Sequence, residues 1–279
     1  RNRVNNSPLS GWSLDERDPK TIRAWLSQVQ WFYNHYFHAE TDGWDNIPET
    51  GAALVVGSHN GGLATPDMMI TLYDWFRHFG TERPAYGLIH PHVWQVYRPL
   101  AQMASRLGAI RADPRMAIPA LRRGACVLVY PGGGKDVFRP YWERDRIKFC
   151  NRQGFIKLAL RENVPIIPVV SWGAHETLFV LADIYEPMKG LLEALNLPWL
   201  FNLDPEVFPI YLGLPWGISF GPLINFPLPR KVRVRVCPPI VFERYGRDAA
   251  QDSIYVQQCY DTVVTHMQRQ LNQLIAESS

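Results

Sequence analysis

Residues 52–67, AALVVGSHNGGLATPD, decide the fold. The valine-rich apolar run at residues 52–57 predicts a strand that is buried on both faces. The polar, glycine-rich residues 58–65 predict a loop at the carboxyl end of that strand, and a helix over residues 66–80 should follow. A buried strand, a loop and a helix in this order are typical of an α/β fold.

The rest of the chain repeats this alternation. Further buried strands are predicted at residues 125–130, 165–171 and 232–237, with helical segments at residues 92–107, 115–123 and 152–162. Residues 19–40 carry apolar side chains at helical spacing and predict an amphipathic helix, and residues 249–276 predict a closing helix. We therefore expect one α/β domain over residues 1–279, with a mixed, mostly parallel sheet flanked by helices.

Residues 187–230 do not follow this alternation of strands and helices, because they are apolar, aromatic and rich in proline and glycine. They cannot form one long helix and predict an irregular apolar lobe that covers the sheet. The same segment, with the helix of residues 19–40, is also a candidate surface for the headgroup zone of a membrane. Its candidate contacts are Trp199, Phe201, Phe208, Tyr211 and Trp216.

Composition limits the possible functions. Of the 279 residues, 47% are hydrophobic and 20% are charged, which is typical of a folded globular protein. The net charge of +3 is mild and gives no basic stripe, so no nucleic-acid partner is expected. The four cysteines lie far apart, which argues against a zinc site or a disulfide scaffold and favours a reducing, intracellular compartment. No metal ion is expected.

Membrane contact is expected to be peripheral. Residues 1–13 are polar and lack the apolar core of a signal peptide. No run reaches the roughly 18 consecutive apolar residues that a spanning helix needs. If the protein meets a membrane, it is expected to lie on the cytoplasmic side without crossing it. The sequence makes no prediction of an oligomeric state.

The loop after the first strand carries a candidate general base. His59 lies just beyond the buried strand, and the loop contains Gly61 and Gly62 and leads to an acid, Asp67. Glycines let a substrate approach the backbone, and a carboxylate can orient an imidazole for proton transfer. Taken alone, a loop histidine at a strand end is about as often a capping or packing residue.

A second glycine-rich loop follows the strand at residues 125–130. Residues 130–136 read YPGGGKD, and their successive backbone N–H groups suit an anion or a developing oxyanion. This is not a Walker phosphate loop, because Lys135 is followed by Asp136 instead of serine or threonine. A tight structural turn explains the motif equally well when it is taken alone.

Taken together, four blocks resemble the glycerolipid acyltransferase family, which includes the lysophospholipid acyltransferases. In chain order they are His59 with Asp67, residues 108–111 (GAIR), residues 130–136 and residues 164–169 (VPIIPV). Residues 132–179 are especially similar to the bacterial and plastid branch related to type-2 diacylglycerol acyltransferases and phytyl ester synthases. The resemblance covers residues 45–245 and implies an α/β acyltransferase fold that uses no metal or organic cofactor.

The resemblance also implies the partners and the roles of the site residues. The donor would be an acyl thioester, either acyl-CoA or an acyl carrier protein. The acceptor would be the hydroxyl of a lysophospholipid, diacylglycerol or another lipophilic alcohol. His59 would be the general base, and Asp67 would orient it. The residues around the oxyanion and the substrates would be Asn60, Gly61, Gly62, Gly132, Gly133, Gly134 and Asp136, with Arg111 and Arg139 steering the donor phosphates.

Two positions depart from the family pattern. The family acid lies four residues after the histidine, where this sequence has Ala64, so the role moves to Asp67. In the third block the glutamate after proline is replaced by Gly132, and Asp136 stands where the glycine-pair branch carries its acid. The second departure favours a neutral-lipid or ester-type acceptor over lysophosphatidate.

Two rival functions stay open. Residues 217–221 read GISFG, the nucleophile-elbow pattern of hydrolases, and Asp248 and His266 follow in the expected order. A lipid esterase that uses Ser219 is therefore the alternative enzyme, although Pro222 disfavours the helix that must follow an elbow. A non-catalytic lipid-binding protein is the other alternative, but such a protein needs no general base.

Two further histidine motifs are weaker. His90-Pro91-His92 resembles the His-Pro-His of animal diacylglycerol acyltransferases, but no apolar strand is expected before it, so it is interpreted as a loop. His175 follows the predicted strand at residues 165–171 and could line the pocket. Packing of the loop is the favoured role of His175.

Overall fold

A computed structural model describes residues 9–199, 202 and 204–278 of the chain. Within them, seven strands form one main sheet, with the spatial order β1-β10-β6-β2-β5-β3-β4. The strands are β1 (Glu40–Asp42), β2 (Ala53–Gly57), β3 (Ala85–Ile89), β4 (Ala109–Arg111), β5 (Cys126–Val129), β6 (Ile166–Trp172) and β10 (Arg233–Val236).

Most neighbouring strands of the main sheet run parallel. Strands β6, β2, β5, β3 and β4 pair in parallel, whereas β10 is antiparallel to β6 and parallel to β1. The mixed, mostly parallel sheet confirms the expected fold class. The sequence patterns do not predict β1, β3 or β4, because these strands are short or only half-buried and so lack a long apolar run.

The α-helices of the described residues largely match the predicted segments. The predicted helix at residues 19–40 is α1, which continues into a π-helical turn at Phe32–Tyr36. The segment at residues 92–107 forms two helices, because the backbone leaves the helical conformation at Tyr97 (φ −120°, ψ 50°). None of these helices combines the length and apolar character needed to cross a membrane. The helices are α1 (Pro19–Trp31), α2 (Pro66–Phe79), α3 (Val93–Val96), α4 (Arg98–Leu107), α5 (Pro114–Arg122), α6 (Gly133–Val137), α7 (Gly154–Glu162), α8 (Tyr185–Ala194), α9 (Arg247–Gln251) and α10 (Ser253–Ser278).

The main sheet separates two hydrophobic cores. On one side, α5, α7, α9 and α10 pack with Leu54 and Val56 of β2. On the other side, α1 and α2 pack with Ala53 and Val55 of the same strand. Alternate residues of β2 therefore enter opposite cores, which explains why the strand is apolar at every position.

The segment predicted as an irregular lobe is more regular than expected. It contains α8 and the strands β8 (Pro209–Gly213) and β9 (Gly217–Phe220), which join β7 (Phe179–Asp183) in a small antiparallel sheet. Pro209 is the first residue of β8, and Pro215 lies in the turn between β8 and β9. Proline is tolerated at both places, because neither needs an N–H group for the sheet ladder.

The aromatic residues expected at a membrane have different environments. Tyr211 is fully buried in the core behind the small sheet, so that expectation was wrong. Trp199 and Phe208 are half-buried with ring centroids 6.1 Å apart, and Phe201 lies outside the described residues. Trp216 is 61% exposed. The difference arises because alternate residues of a strand face opposite sides, which the apolar composition of this segment conceals.

The parallel strands of the main sheet all end at one edge. The loops that follow β2, β5, β3, β4 and β6 therefore meet there, as the carboxyl ends of parallel strands do in α/β folds. Two of these loops carry the predicted chemistry: the histidine loop (residues 58–65) after β2 and the glycine loop (residues 130–134) after β5. β2 and β5 are direct neighbours, so the two loops lie side by side.

Candidate active site

His59 lies two residues beyond the end of β2. Its side chain is 16% exposed, and its Nδ1 faces the Asp67 carboxylate, with 3.7 Å between Nδ1 and Oδ1. This separation is too long for a hydrogen bond, but such contacts are often long without substrate and shorten in the reacting complex. The geometry suits an imidazole oriented through Nδ1, with Nε2 directed away from the acid.

Asp67 comes near His59 although eight positions separate them in the sequence. A 3-10 turn at Gly62–Ala64 folds the chain back before α2 begins, which places Asp67 in the first turn of α2. The buried Asp67 carboxylate accepts hydrogen bonds from Asn60 Nδ2 at 3.2 Å and from the Met68 N–H at 2.9 Å. Asp67 therefore both faces the imidazole and accepts a backbone N–H in the first turn of α2.

Tyr130 packs directly on His59 and was not among the expected site residues. The two rings are stacked, with centroids 4.3 Å apart and planes inclined by 22°. Burial, with the nearby Asp67 carboxylate, raises the pKa of Tyr130 well above its usual value. Gly57 makes room for this stack, since a Cβ there would lie 2.3 Å from the Tyr130 ring. The only sequence signal for this role is an aromatic residue directly before the Pro-Gly-Gly run.

Asp136 does not line a substrate site, contrary to the expectation. Its side chain is 0% exposed. The carboxylate accepts hydrogen bonds from the backbone N–H of His59 at 2.6 Å and of Lys148 at 3.3 Å, and from the Ser58 hydroxyl at 3.1 Å. Burial raises the pKa of Asp136, while the neighbouring Arg139 guanidinium acts to lower it. Asp136 holds the backbone of the histidine loop in place.

Arg139 is buried as well, so the expected role in steering donor phosphates is wrong. Its Nη1 donates to the carbonyl oxygens of His59 at 2.8 Å and Asp136 at 2.7 Å, and its Nη2 donates to Asn60 Oδ1. Nε and Nη2 also donate to backbone carbonyls of the following turn. These bonds use all the N–H groups of the guanidinium and leave none for a phosphate. Arg139 ties the histidine loop to the segment that follows the glycine loop.

Asn60, Gly61 and Gly62 contact protein rather than an open substrate surface, which differs from the expectation. Asn60 is buried and connects Asp67, to which it donates, with Arg139, from which it accepts. Gly61 and Gly62 have left-handed backbones (φ 81° and 67°). A Cβ on Gly61 would lie 2.7 Å from the nearest atom, and a Cβ on Gly62 would lie 2.6 Å from the nearest atom. Because Gly61 and Gly62 lack side chains, their backbone can pack closely against the residues next to the small sheet.

The glycine loop has fewer free donors than expected for an oxyanion site. The Gly133 N–H donates to the Tyr130 carbonyl at 3.2 Å within the loop itself. Gly132 has a right-handed backbone and lies so close to Asp136 that a Cβ would be 2.3 Å from the Asp136 Cβ. Gly132 and Gly134 therefore remain the candidate oxyanion donors.

Arg111 reaches the same edge of the sheet but lies away from His59. It ends β4, which is the edge strand and is separated from β2 by β5 and β3. Its Nε donates to the Ser10 carbonyl at 2.8 Å, and its guanidinium lies over the rings of Trp12 and Trp94, 5.2 and 5.1 Å from the centroids. Arg111 thus lies at the same edge of the sheet as His59 but three strands away from it.

His175 packs against the histidine loop region, as the sequence favoured. Its Nε2 lies 2.8 Å from the Arg139 carbonyl oxygen, to which a neutral ring donates. Burial, followed by the Arg139 charge, lowers the pKa of His175 well below its usual value. His90 and His92 follow β3, so a strand does precede this motif, and the two rings contact each other at 4.4 Å.

Ser219 does not lie at a nucleophile elbow. It is buried within β9, in the small antiparallel sheet, and residues 221–232 contain no helix. An elbow requires the strand to turn directly into a helix that exposes the serine. The GISFG pattern is therefore part of a sheet, and it matches the nucleophile-elbow motif in sequence but not in structure.

Just under half of the chain, including the site, is similar in sequence to acyltransferases. Residues 38–172 match a family model described as Acyltransferase. The matched segment contains β2, the histidine loop, the glycine loop and β6, which together build the site described above.

Relatives of the chain include characterised and uncharacterised proteins. An uncharacterized protein of Mycobacterium tuberculosis is 29% identical over 251 residues, which are 89% of this chain and 64% of that protein. A Gallus gallus protein described as a DGAT1/2-independent enzyme synthesizing storage lipids is 27% identical over 206 residues, 73% of this chain and 58% of that protein. This chain thus spans less than two thirds of the length of these relatives. The crystal structure of the 1-acyl-sn-glycerophosphate acyltransferase PlsC from Thermotoga maritima is similar over 90% of this chain and 82% of that chain, with 15% identity and a TM-score of 0.49.

Proposed function

We propose that this protein transfers a fatty acyl group from an acyl thioester to the hydroxyl of a lipid acceptor, with His59 as the general base. The observation that carries the proposal is the placement of His59. Its Nδ1 faces the buried Asp67 carboxylate at 3.7 Å, and its ring is stacked on Tyr130. All three residues lie in the segment that matches the acyltransferase family. A histidine with a carboxylate behind one ring nitrogen is suited to remove a proton from a hydroxyl.

The proposed reaction is a direct transfer. Nε2 of His59 accepts the proton of the acceptor hydroxyl while the oxygen attacks the thioester carbonyl carbon, and Asp67 stabilises the imidazolium that forms. The N–H groups of Gly132 and Gly134 hold the tetrahedral oxyanion, which typically contributes about 3 kcal/mol per well-placed donor. Collapse breaks the carbon–sulfur bond, and the leaving thiolate takes the proton back from His59. No acyl-enzyme forms.

The donor is acyl-CoA or an acyl carrier protein, and Arg111, which ends β4 at the same edge of the sheet, is the candidate contact for its phosphates. A neutral acceptor such as diacylglycerol or another lipophilic alcohol is favoured over a lysophospholipid. Two observations support it: the third block carries Gly132 instead of glutamate, and one relative is described as synthesizing storage lipids. The protein acts peripherally, at the cytoplasmic face of a membrane.

Mass spectrometry of lipid products tests the proposal. The purified chain is incubated with acyl-CoA or acyl carrier protein donors and a panel of acceptors: diacylglycerol, a long-chain alcohol and lysophosphatidate. We expect ester formation that His59→Ala reduces about 100- to 10,000-fold, since a general base contributes about that much, while the melting temperature stays close to wild type.

Ser219→Ala is the matched control, because Ser219 belongs to the rival esterase motif and lies in a different sheet. It should turn over like the wild type. Transfer at the wild-type rate in His59→Ala would refute the assignment. Loss of activity in Ser219→Ala with an accumulated acyl-enzyme would support the esterase. Binding of lipids without turnover of any donor would support the lipid-binding alternative.

A further inference from the structure

One face of the small sheet is apolar and open to solvent. Val180 of β7 and Tyr211 of β8 point into the core, whereas the residues that alternate with them along each strand point outward. The outward residues are paired across the strands, with Phe179 opposite Leu212 and Leu212 opposite Ile218. Ile218 is 67% exposed. We call this surface, which consists of Phe179, Leu212, Ile218 and Phe220, the outer sheet face.

Exposed apolar residues continue the outer sheet face into the loop that follows β9. Trp216, in the turn between β8 and β9, donates its indole N–H to the Ile224 carbonyl at 3.0 Å. Both side chains are exposed, as is that of Leu223. Phe226 then contacts the aromatic end of α1, with its ring centroid 6.5 Å from that of Phe32. The apolar surface therefore includes strand, turn and loop residues and is larger than a single side-chain cluster.

Two exposed arginines flank the loop after β9, and one exposed acid, Asp183, ends β7 of the same small sheet. Residues 207–229 contain no Asp, Glu, Lys, Arg or His. Arg230 follows directly after this segment and is exposed. Arg98, also exposed, begins α4 next to Tyr97, whose hydroxyl donates to the Pro222 carbonyl at 3.3 Å. Within the described part of the chain, neither arginine has an ion-pair partner.

The apolar surface is connected to the histidine loop through the loop after β9. Asn225 is buried between them: its Oδ1 accepts the Ala64 N–H at 3.2 Å, and its Nδ2 donates to the Gly61 carbonyl at 3.2 Å. The Leu228 N–H also donates to the Thr177 carbonyl at 2.8 Å. The loop after β9, which extends the apolar surface, therefore contacts the loop that carries His59.

We propose that the outer sheet face, with Trp216 and Ile224, docks on the surface of an anionic lipid bilayer, and that Arg98 and Arg230 contact its headgroups. Apolar and aromatic side chains enter the boundary between headgroups and acyl chains, while arginines at the rim are attracted to anionic lipids. The purpose of this docking rests on the proposed function, because a lipid acceptor must pass from the bilayer to His59. The docking itself is a binding event and can be measured without turnover.

Vesicle flotation tests the docking. The full chain is mixed with phosphatidylcholine vesicles that contain or lack phosphatidylglycerol, and the vesicle-bound fraction is measured. We expect wild type to float with the anionic vesicles. Ile218→Ser with Phe220→Ser should lower the partition coefficient about tenfold or more, because two apolar side chains no longer enter the layer. Arg98→Gln and Arg230→Gln should each lower it about fivefold, and added salt should remove this difference.

Val241→Ser with Ile254→Ser is the matched control. These side chains are 71% and 73% exposed, so they resemble Ile218 and Phe220 in exposure and polarity. Val241 follows Ile240, which pairs with the first residue of β6, at the opposite edge of the main sheet from His59. The control pair should float like the wild type. Melting temperatures of all variants should stay near the wild-type value, since the substituted side chains are exposed.

The outcomes separate the docking from the proposed function. His59→Ala should float like the wild type although it does not catalyse. A wild type that never floats, or an Ile218/Phe220 variant that floats unchanged, would overturn the docking even if acyl transfer to detergent-dispersed acceptor is observed. A wild type that self-associates, with a monomeric Ile218/Phe220 variant, would assign the face to a second copy of the chain and also overturn it.

Discussion

His59 owes its position to buried polar side chains that are not expected to touch substrate. The Asp136 carboxylate accepts a hydrogen bond from the backbone N–H of His59, and Arg139 donates one to the His59 carbonyl oxygen. Two side chains from one short segment therefore fix the backbone on both sides of His59. Tyr130 then fixes the plane of the imidazole from one side. Such support matters because a displacement of about 1 Å can reduce a rate about 100-fold. The ionic pair under the loop is therefore best understood as a positioning device.

Asp67→Asn should separate catalytic orientation from helix capping. The amide keeps the shape of the carboxylate but no longer stabilises an imidazolium, so we expect kcat to fall about 100-fold or more. The free energy of unfolding should change by less than about 1 kcal/mol, since the asparagine side-chain oxygen can still accept the Met68 N–H. Steady-state kinetics and thermal melting measure the two effects.

Asp113→Ala is the control for capping, because Asp113 caps the start of α5 away from His59, accepting the Arg115 N–H at 2.8 Å. It should lower stability by about 1 kcal/mol and leave kcat unchanged. If Asp67→Asn turned over at the wild-type rate, Asp67 would not orient His59, and its role would be confined to the first turn of α2.

His175 should make stability depend on pH. Burial and the Arg139 charge lower its pKa in the folded protein well below the unfolded value of about 6.5. The unfolded chain therefore binds a proton below about pH 6.5 that the folded chain does not, and stability falls as the pH decreases, by about 1.4 kcal/mol per unit for this group. His175→Gln should reduce this slope in denaturant unfolding between about pH 6.5 and 5. An unchanged slope would show that folding does not lower the pKa of His175.

Strand β2 combines two requirements at its carboxyl end. Its residues Ala53 to Val56 enter the two cores, and Gly57 must then leave space for the Tyr130 ring that arrives from the neighbouring strand β5. A larger residue at this point would displace the ring that packs on His59. The glycine at the end of the apolar run thus contributes to the site as well as to the turn.

Gly57→Ala should damage both stability and turnover. The new Cβ would lie 2.3 Å from the Tyr130 ring, and overpacking of this kind costs about 1–3 kcal/mol. Since the displaced ring is the one stacked on His59, kcat should fall as well. Gly87→Ala is the control: Gly87 lies in β3 of the same sheet and has open space around a new Cβ. Equal effects of the two substitutions on kcat would refute a role of the Tyr130 stack in positioning His59.

At the scale of the whole molecule, the loop that follows the small sheet supports the histidine loop through one asparagine. Asn225 bonds the Ala64 N–H and the Gly61 carbonyl, and both partners lie in the turn that brings Asp67 to His59. The small sheet therefore does more than cover the main sheet. It takes part in shaping the loop on which the proposed base lies.

Asn225→Ala should lower both stability and kcat. It leaves a buried N–H and a buried carbonyl without partners, and each such group costs about 1–3 kcal/mol. Urea unfolding and steady-state kinetics measure the two losses. Asn272→Ala, on the exposed surface of α10, is the control and should change neither quantity. Normal kcat in Asn225→Ala would mean that the histidine loop keeps its shape without the small sheet.

The sequence by itself determined the central strands and the position of the proposed base. Strands β2, β5 and β6 are buried on both faces, so each is an unbroken apolar run that can be recognised without neighbours. The order of these strands and glycine-rich loops also matched the acyltransferase pattern. His59 could be singled out because it directly follows such a run, which places it at the edge of the sheet where α/β sites form.

Only the tertiary structure decided which polar residues face the site and which support it. The sequence shows that Asp136 and Arg139 are charged, but charge type does not reveal that both are buried and bonded to the histidine loop. The small sheet was concealed for a related reason. The inner face of the small sheet is apolar because it is buried, and its outer face is also apolar although it is exposed. The strands therefore lack the alternation of polar and apolar residues by which a half-buried strand is recognised in a sequence. Burial depends on contacts between segments distant in the chain, and a local pattern carries no information about them.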